Sequence, residues 1–182
     1  MDAIKMIEER RSVRKFKDKK VSEEKMKKII SISRWAPSWG NFQIARYTHV
    51  NNNKLITEIA TKGVDGFVYN RKTLTQAPSL VVLSFVKGKS GMLDKNGNLI
   101  SKSNIWEVFD AGIACQTFCL AAHAEGLGTF IMSVIEENSI ASILNLPKEE
   151  TVAALIVCGY EDGEHGAPTS RKRVDEILRY IG

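Results

Sequence analysis

The feature of this sequence that most limits its possible folds is a long apolar segment, Ile105–Glu125, which Gly126 and Gly128 bring to an end. Read with the period of a helix, it carries apolar residues on most of its sides: Phe109, Ile113, Ala114, Phe118, Leu120 and Ala121. A helix of this kind is stable only when it is buried. The segment therefore predicts a long central helix, packed in the core or against a second subunit.

Two other apolar runs, Leu80–Val86 and Val152–Tyr160, are nearly continuous, which is typical of strands buried on both faces. Shorter strands are predicted at Arg46–Val50 and Thr129–Met132. Because segments with helical and strand patterns are mixed along the chain, we expect a mixed α/β or α+β fold with about four strands.

Side-chain caps indicate where the surrounding helices begin. Asp2 is expected to cap a short helix that turns Ile4 and Ile7 inward, Ser22 is expected to cap a second helix, and Asn138 a later one. Further short helices are expected over residues 55–59 and 175–180.

Length and composition indicate an ordinary globular protein of 182 residues, 43% hydrophobic and 26% charged. We expect one domain over residues 1–182, with a polar excursion at about 87–104. Three cysteines and the lack of an apolar leader in the first ten residues predict reduced thiols and a cytoplasmic location. Polar residues interrupt every long apolar run, so no contact with a membrane is expected.

A basic cluster near the N-terminus gives the clearest sign of a binding site. In an extended segment, Arg10, Ser12 and Arg14 share one face and would present two guanidinium groups and a hydroxyl to one ligand. Planar bidentate donors suit a phosphate or a carboxylate. A second group, Arg171–Arg173, repeats the alternation and could bind the same anion from the other side.

The charge distribution leaves other interpretations open. Residues 1–30 hold eleven basic and six acidic side chains, and the rest of the chain holds fifteen of each, so the whole net charge of +5 lies in the N-terminal stretch. Such a stretch is most often a solvated surface. Nucleic acid or an acidic membrane is an alternative partner, although the neutral remainder of the chain argues against nucleic acid.

Two further motifs do not lead to a site. The segment Gly126–Gly128 follows a helix instead of a strand and lacks the third glycine of a dinucleotide-binding loop, so it indicates the end of a helix. Cys115, Cys119 and His123 fall on one helix stripe and could ligate zinc. Since no second Cys/His pair lies nearby in sequence, a packing face of small residues is the better interpretation.

Four motifs occur in order along the chain: Arg10–Phe16, Ala36–Gln43, Asp110–Thr129 and Arg171–Arg173. Together they resemble the FMN-dependent nitroreductase family, also called the oxygen-insensitive nitroreductase or NADH-oxidase-like family. In that family they would be the opening signature, the second motif, the central helix with its exit, and the closing motif. The resemblance spans nearly the whole chain.

The resemblance implies a fold and a set of cofactor-binding residues. The fold would be α+β, a nitroreductase-like sandwich with helices flanking a small, mostly antiparallel or mixed sheet around a long buried central helix. One subunit would bind FMN through Arg10, Arg11, Ser12, Arg14, Asn70, Ile131, Met132, Ser133, Arg171 and Arg173, and the other would cover it with Pro37, Ser38, Trp39 and Asn41. The arginines would bind the phosphate, Asn70 the polar edge of the flavin, and a backbone N–H of residues 131–133 the flavin N5.

The resemblance also implies an activity. The chain would be a homodimeric oxidoreductase that takes hydride from NADH or NADPH and passes it, in a ping-pong cycle, to a nitroaromatic, a quinone or a similar small electron acceptor. Because FMN would carry the hydride, neither a catalytic side chain nor a metal is expected. Candidates for the pocket wall are Trp39, Phe42, Phe67 and Tyr69, whose alternative role is core packing.

The chain departs from the family pattern at Ile44–Ala45, where Pro-Trp is usual, at Thr73, where a basic residue is common, and at Met132–Val134, where glycine is frequent. The last two places lie near the expected flavin ring and leave the substrate open. A different flavin reaction on the same scaffold, such as dehalogenation, enone reduction or flavin destruction, is therefore an alternative. A non-catalytic flavin-binding protein is another, and a basic nucleic-acid-binding protein is the least favoured.

Overall fold

The computed structural model describes residues 2–64, 66, 68–91, 96–98, 105–163 and 167–182. Within them the chain forms, in order, helices α1 (Ala3–Glu9) and α2 (Glu23–Ser33), strand β1 (Ala45–Val50), helices α3 (Asn53–Lys62) and α4 (Val68–Thr75), strand β2 (Leu80–Val86), helix α5 (Ile105–Ala124), strand β3 (Gly128–Met132), helix α6 (Glu137–Ile143), strand β4 (Glu150–Gly159) and helix α7 (Val174–Ile177).

The four strands form one antiparallel sheet in the order β1-β2-β4-β3. β2 lies inside the sheet and is buried along its whole length, which explains its unbroken apolar sequence. The expected α+β sandwich, with helices flanking a small sheet, is confirmed, and the expected mostly antiparallel or mixed sheet is antiparallel throughout the described strands.

Two hydrophobic clusters cover the two faces of the sheet. Because successive strand residues point to opposite faces, Leu80 and Val82 enter the first cluster and Val81 and Leu83 the second. Residues of α3, α4 and α6 complete the first cluster: Ile56, Ile59, Ala60, Leu74 and Ile140. Residues of α2 and α5 complete the second: Met26, Ile29, Cys115, Phe118, Cys119, Ala121 and Ala122.

The long central helix is confirmed as α5, but it is buried on one side only. Phe118 and Cys119 are fully buried in the second cluster, whereas Ile105, Val108 and Phe109 are 61, 59 and 57% exposed. By length and composition alone α5 would also suit a membrane span. Its packing against α2 and the sheet accounts for the buried half of its apolar surface, and the outward half requires another explanation.

Several local expectations are wrong. Asp2 does cap α1, but Ile4 and Ile7 are exposed, since the helix has no buried residue. α6 begins after Glu136 instead of Asn138, and no side chain caps it. The last helix ends at Ile177, because Leu178 is extended. Much of the expected excursion at 87–104, namely 92–95 and 99–104, lies outside the described residues.

Candidate functional site

The segment that follows α1 runs along the edge of the sheet in an extended conformation. Ser12 pairs with Thr129 of β3 in a parallel bridge, and the Val13 N–H donates to the Thr129 carbonyl at 2.9 Å. Val13 is buried against Gly128, where an added Cβ would lie 2.6 Å from Val13 Cγ2. Since Val13 points inward, the alternation turns Ser12 and Arg14 outward, and both are exposed.

The outward residues of this segment lie beside the end of β3. The guanidinium carbon of Arg14 is 4.3 Å from the centre of the Phe130 ring, a cation–π contact. The strand exit Ile131–Ser133 follows Phe130 directly, with Ile131 exposed and Met132 buried. The structure therefore brings Arg14 and the strand exit together, two of the groups that the resemblance assigns to the cofactor.

A cavity of about 240 Å³ adjoins Arg10 and Arg11 and is also lined by Val13, His123 and residues 126–129. The Nη1 of Arg11 donates to the carbonyl of Arg10 at 3.0 Å, so this side chain is folded back on its own backbone. Its Nε is buried and has no hydrogen-bond partner within the described part of the chain. The unpaired Nε of Arg11 can donate to an acceptor on a ligand, in a cavity that the acidic side chains of Glu9 and Glu161 also line.

The stripe Cys115, Cys119 and His123 lies on α5 below this cavity. The hydrogen bond between the two thiols lowers the pKa of Cys119 to about 7, with smaller contributions from Thr129 and the charge of Arg10 acting against burial, and the same bond raises the pKa of Cys115. Both cysteines pack in the second hydrophobic cluster. Among the described residues, no group of three or more His, Cys, Asp or Glu side chains is placed to hold a metal.

The second candidate region is the loop Pro37–Gln43, here called the site loop, which contains a 3₁₀ turn at Trp39–Asn41. The rings of Trp39 and Phe42 stack with centroids 5.5 Å apart and planes 8° from parallel. Gly40, Asn41 and Gln43 have φ values of +54, +57 and +51°. The loop thus presents a flat aromatic pair on a backbone that is partly left-handed.

Two buried carboxylates of α5 bind this loop and a neighbouring one. Asp110 accepts the Trp39 N–H at 3.0 Å on Oδ1 and 3.1 Å on Oδ2, and the Ser90 hydroxyl at 2.6 Å. Glu107, one turn earlier, accepts the backbone N–H groups of Gly88 and Lys89. Sequence reasoning used Asp110 only as part of a motif and missed Glu107. Two acidic residues three positions apart in a mostly apolar helix could have indicated that both carboxylates are buried and hydrogen-bonded.

The remaining predicted site residues are not assembled in the single chain. Asn70 is half-buried on α4, and Tyr69 beside it is 85% exposed. Arg171 donates to Thr169 and Ser170, and Arg173 to Asp175, so within the described residues their hydrogen bonds are local. Phe67 lies outside the described residues.

The two candidate regions lie at opposite ends of α5. His123, near the end of the helix, lines the cavity beside Arg10, whereas Asp110, near its beginning, binds the site loop. Thirteen residues separate these two positions, which is about 20 Å along a helix that rises 1.5 Å per residue. The strand exit lies between them, because Ile131 lines a cavity of about 420 Å³ together with Val108, Ala111 and Gly112 of α5.

The fold is that of the nitroreductase family: the model of this family matches residues 7–160, and the chain belongs to the family. A putative NADH dehydrogenase/NAD(P)H nitroreductase of Archaeoglobus fulgidus is 25% identical over 167 residues, covering 90% of this chain and 87% of its own. An FMN reductase [NAD(P)H] of Bacillus subtilis is 28% identical over 171 residues, covering 87% of this chain and 66% of its own. The solved structure of an FMN-dependent nitroreductase from Clostridium difficile superposes with a TM-score of 0.76 at 26% identity, covering 97% of this chain and 98% of that one.

Proposed function

We propose that the protein is an FMN-binding oxidoreductase that is reduced by NADH or NADPH and passes hydride to a nitroaromatic, a quinone or a similar small acceptor in a ping-pong cycle. The observation that carries the proposal is the pairing of Ser12 with β3, which places Arg14 beside the strand exit Ile131–Ser133. Membership of the nitroreductase family and the names of the relatives support the same reaction class.

The donors present in the chain fit FMN. A phosphate is best bound by forked cationic donors, which Arg10 and Arg14 supply, and the buried Nε of Arg11 adds a donor without a partner among the described residues. The planar ring requires a flat apolar surface, and the stacked pair of Trp39 and Phe42 is one.

When bound, FMN supplies the hydride chemistry of both half-reactions. Arg10 and Arg14 would hold the phosphate, and their positive charge would favour the reduced, more negative cofactor. Backbone N–H groups of residues 131–133 orient the polar side of the ring. The Trp39–Phe42 pair covers the other side and excludes water. These roles are binding and orientation, so no side chain has to act as nucleophile or base.

The proposal includes a homodimer in which the site loop of one subunit covers the FMN that the other subunit binds. The outward side of α5 supports this proposal, because Val108 and Phe109 are 59 and 57% exposed in the single chain. A contiguous apolar surface on a single chain indicates an interaction surface. Exposed apolar residues line α1, the outer side of α5 and the C-terminal segment: Ile4, Ile7, Ile105, Val108, Phe109, Val174, Ile177, Tyr180 and Ile181. Packing of residues 167–182 on the second subunit would also bring Arg171 and Arg173 to the phosphate.

The absorbance spectrum of the purified protein tests the cofactor. We expect a yellow protein with flavin bands that releases FMN on denaturation, and a colourless protein that takes up no added FMN would contradict the proposal. Anaerobic addition of NADH or NADPH should then bleach the flavin bands, and a nitroaromatic or quinone should restore them. If the protein binds FMN but neither nucleotide reduces it, the protein is a flavin-binding protein without the proposed activity.

A further inference from the structure

We propose that Asp110 is a positioning residue for the site loop and that its carboxylate holds the Trp39–Phe42 pair in place. This inference rests on the proposed function for the role of the aromatic pair. The hydrogen bonds on which it depends are features of the chain itself.

Asp110 is placed to bind the site loop at its turn. Its side chain is buried, with 3% of the residue exposed, and both carboxylate oxygens accept the Trp39 N–H. Trp39 is the first residue of the 3₁₀ turn, so this N–H has no partner within the turn. A hydrogen bond to a buried carboxylate is stronger than one to a neutral acceptor, which makes this contact the main attachment of the loop to the helix.

The backbone of the site loop requires such an attachment. Asn41 and Gln43 adopt left-handed φ values, which are costly for residues with a side chain, and Gly40 between Trp39 and Asn41 does so as well. Strained residues persist only where surrounding contacts fix them, and they cluster at ligand sites. Within the loop, the Gln43 N–H donates to Ser38 Oγ at 2.9 Å, which closes the loop but does not attach it to the rest of the fold.

The same carboxylate joins the site loop to a second loop. Ser90 is fully buried and donates its hydroxyl to Asp110 Oδ2 at 2.6 Å. Gly91, with φ +73°, packs so closely on α5 that an added Cβ would lie 2.4 Å from Trp106 Cδ1. Removing the carboxylate of Asp110 therefore removes the hydrogen bond of Ser90 as well as that of Trp39.

Glu107 provides a matched control on the same helix. It is also buried, with 4% exposed, and it also accepts two backbone N–H groups, those of Gly88 and Lys89. It has no hydrogen bond to the site loop among the described residues. Asp110→Ala and Glu107→Ala therefore remove similar groups from the same helix but release different loops.

Amide hydrogen exchange, read by mass spectrometry with residue-level fragmentation on the protein without added cofactor, tests the attachment. In Asp110→Ala we expect Trp39 to exchange at least about tenfold faster while Gly88 changes by less than about threefold, and the reverse in Glu107→Ala. Equal acceleration of Trp39 in both variants, or none in Asp110→Ala, would overturn the proposal. If Asp110→Ala does not fold, Asp110→Leu replaces it, because leucine fills the space of the side chain and has no acceptor for the Trp39 N–H. Unchanged exchange of Trp39 in Asp110→Leu would then overturn the proposal.

Steady-state and rapid kinetics test the consequence for function. In Asp110→Ala or Asp110→Leu we expect the KM of the acceptor to rise at least about fivefold, with less than about a twofold change in Glu107→Ala. Faster exchange of Trp39 with an unchanged acceptor KM would overturn the positioning role. If the protein binds no FMN, the proposed function fails, and the exchange experiment still decides whether Asp110 fixes the site loop.

Discussion

The two ends of α5 carry the two halves of the candidate site, and they are built in different ways. At the C-terminal end, main-chain pairing of Ser12 with Thr129 fixes a segment whose charged side chains are outward and exposed. At the N-terminal end, the buried carboxylate of Asp110 fixes a loop whose outward groups are the stacked rings of Trp39 and Phe42.

The difference shows a division of roles. Exposed guanidinium groups recognise the charged part of a ligand, whereas a flat aromatic pair recognises a planar part. Backbone pairing leaves the side chains of the first segment free for the ligand, and a side-chain anchor leaves the exposed surface of the second loop free. In the proposed dimer, one complete site takes its basic segment from one chain and its site loop from the other.

The largest effect is expected at Gly128, where a larger side chain would disrupt the contact between the N-terminal segment and β3. In Gly128→Val the new side chain would collide with Val13 and separate the N-terminal segment from β3, so we expect the free energy of unfolding to fall by about 3 kcal/mol and FMN binding to be lost. Gly126→Ala is the control, since a Cβ there meets open space and costs only the strain of φ +75°, about 1 kcal/mol. Urea unfolding measures both variants, and equal losses would mean that the close contact with Val13 is unimportant.

The next prediction tests the proposed dimer, in which the two halves of one site come from different chains. Phe109→Glu places a charge on the exposed apolar side of α5, and we expect the dimer dissociation constant to rise about a hundredfold or more. Light scattering after gel filtration should then give one chain of 20.3 kDa in place of two. Lys27→Glu on the solvent side of α2 should remain a dimer. A wild-type protein that is monomeric would contradict the two-chain site directly.

A smaller effect is expected from a single cation at the C-terminal end. Arg14→Ala should weaken FMN binding about tenfold, close to 1.4 kcal/mol, because one guanidinium beside the strand exit is lost. Lys15 is its exposed neighbour on the other face of the extended segment. Lys15→Ala should therefore change the FMN dissociation constant by less than about twofold. Fluorescence titration with FMN measures both constants, and equal constants would show that the face assignment is wrong.

The smallest expected effect is a pH dependence of stability at His49, which lies outside both halves of the candidate site. Burial lowers the pKa of His49 on β1, whose Nε2 lies 2.6 Å from Ser79 Oγ. The unfolded chain therefore binds the proton more readily than the folded one, and stability is lost as the pH falls from the ordinary histidine value through the lowered one. His49→Gln should show a shallower loss of the unfolding midpoint between about pH 6.5 and 5. An unchanged slope would assign the acid sensitivity to other groups.

Particular elements show how far the sequence could predict the fold. β2 and β4 were recognisable because burial on two faces produces a nearly unbroken apolar run. α5 was recognisable because apolar residues cover most of its sides, although the single chain buries only one of them. α4 was not predicted, since its sequence Val68–Thr75 has only one buried residue, Leu74. The start of α6 was misplaced because Asn138 is a good capping residue that the fold does not use as a cap.

The candidate site was predictable to a similar degree. The alternation of Arg10, Ser12 and Arg14 predicted a shared face, since an extended backbone places every second side chain on one side whatever surrounds it. Neither the partner of that segment nor the attachment of the site loop followed from the sequence. Ser12 is 117 positions from Thr129, and Trp39 is 71 positions from Asp110.

The sequence by itself determined the fold class, the long central helix and the charged face of the N-terminal segment, because each depends on a local period of apolar or basic residues. Only the tertiary structure decided that β3 fixes this segment, that Asp110 fixes the site loop, and that α5 separates the two. These facts depend on contacts between residues far apart in the chain, which no local pattern encodes. The outward half of α5 illustrates both points: its apolar sequence predicted burial, and the single chain leaves Ile105, Val108 and Phe109 exposed.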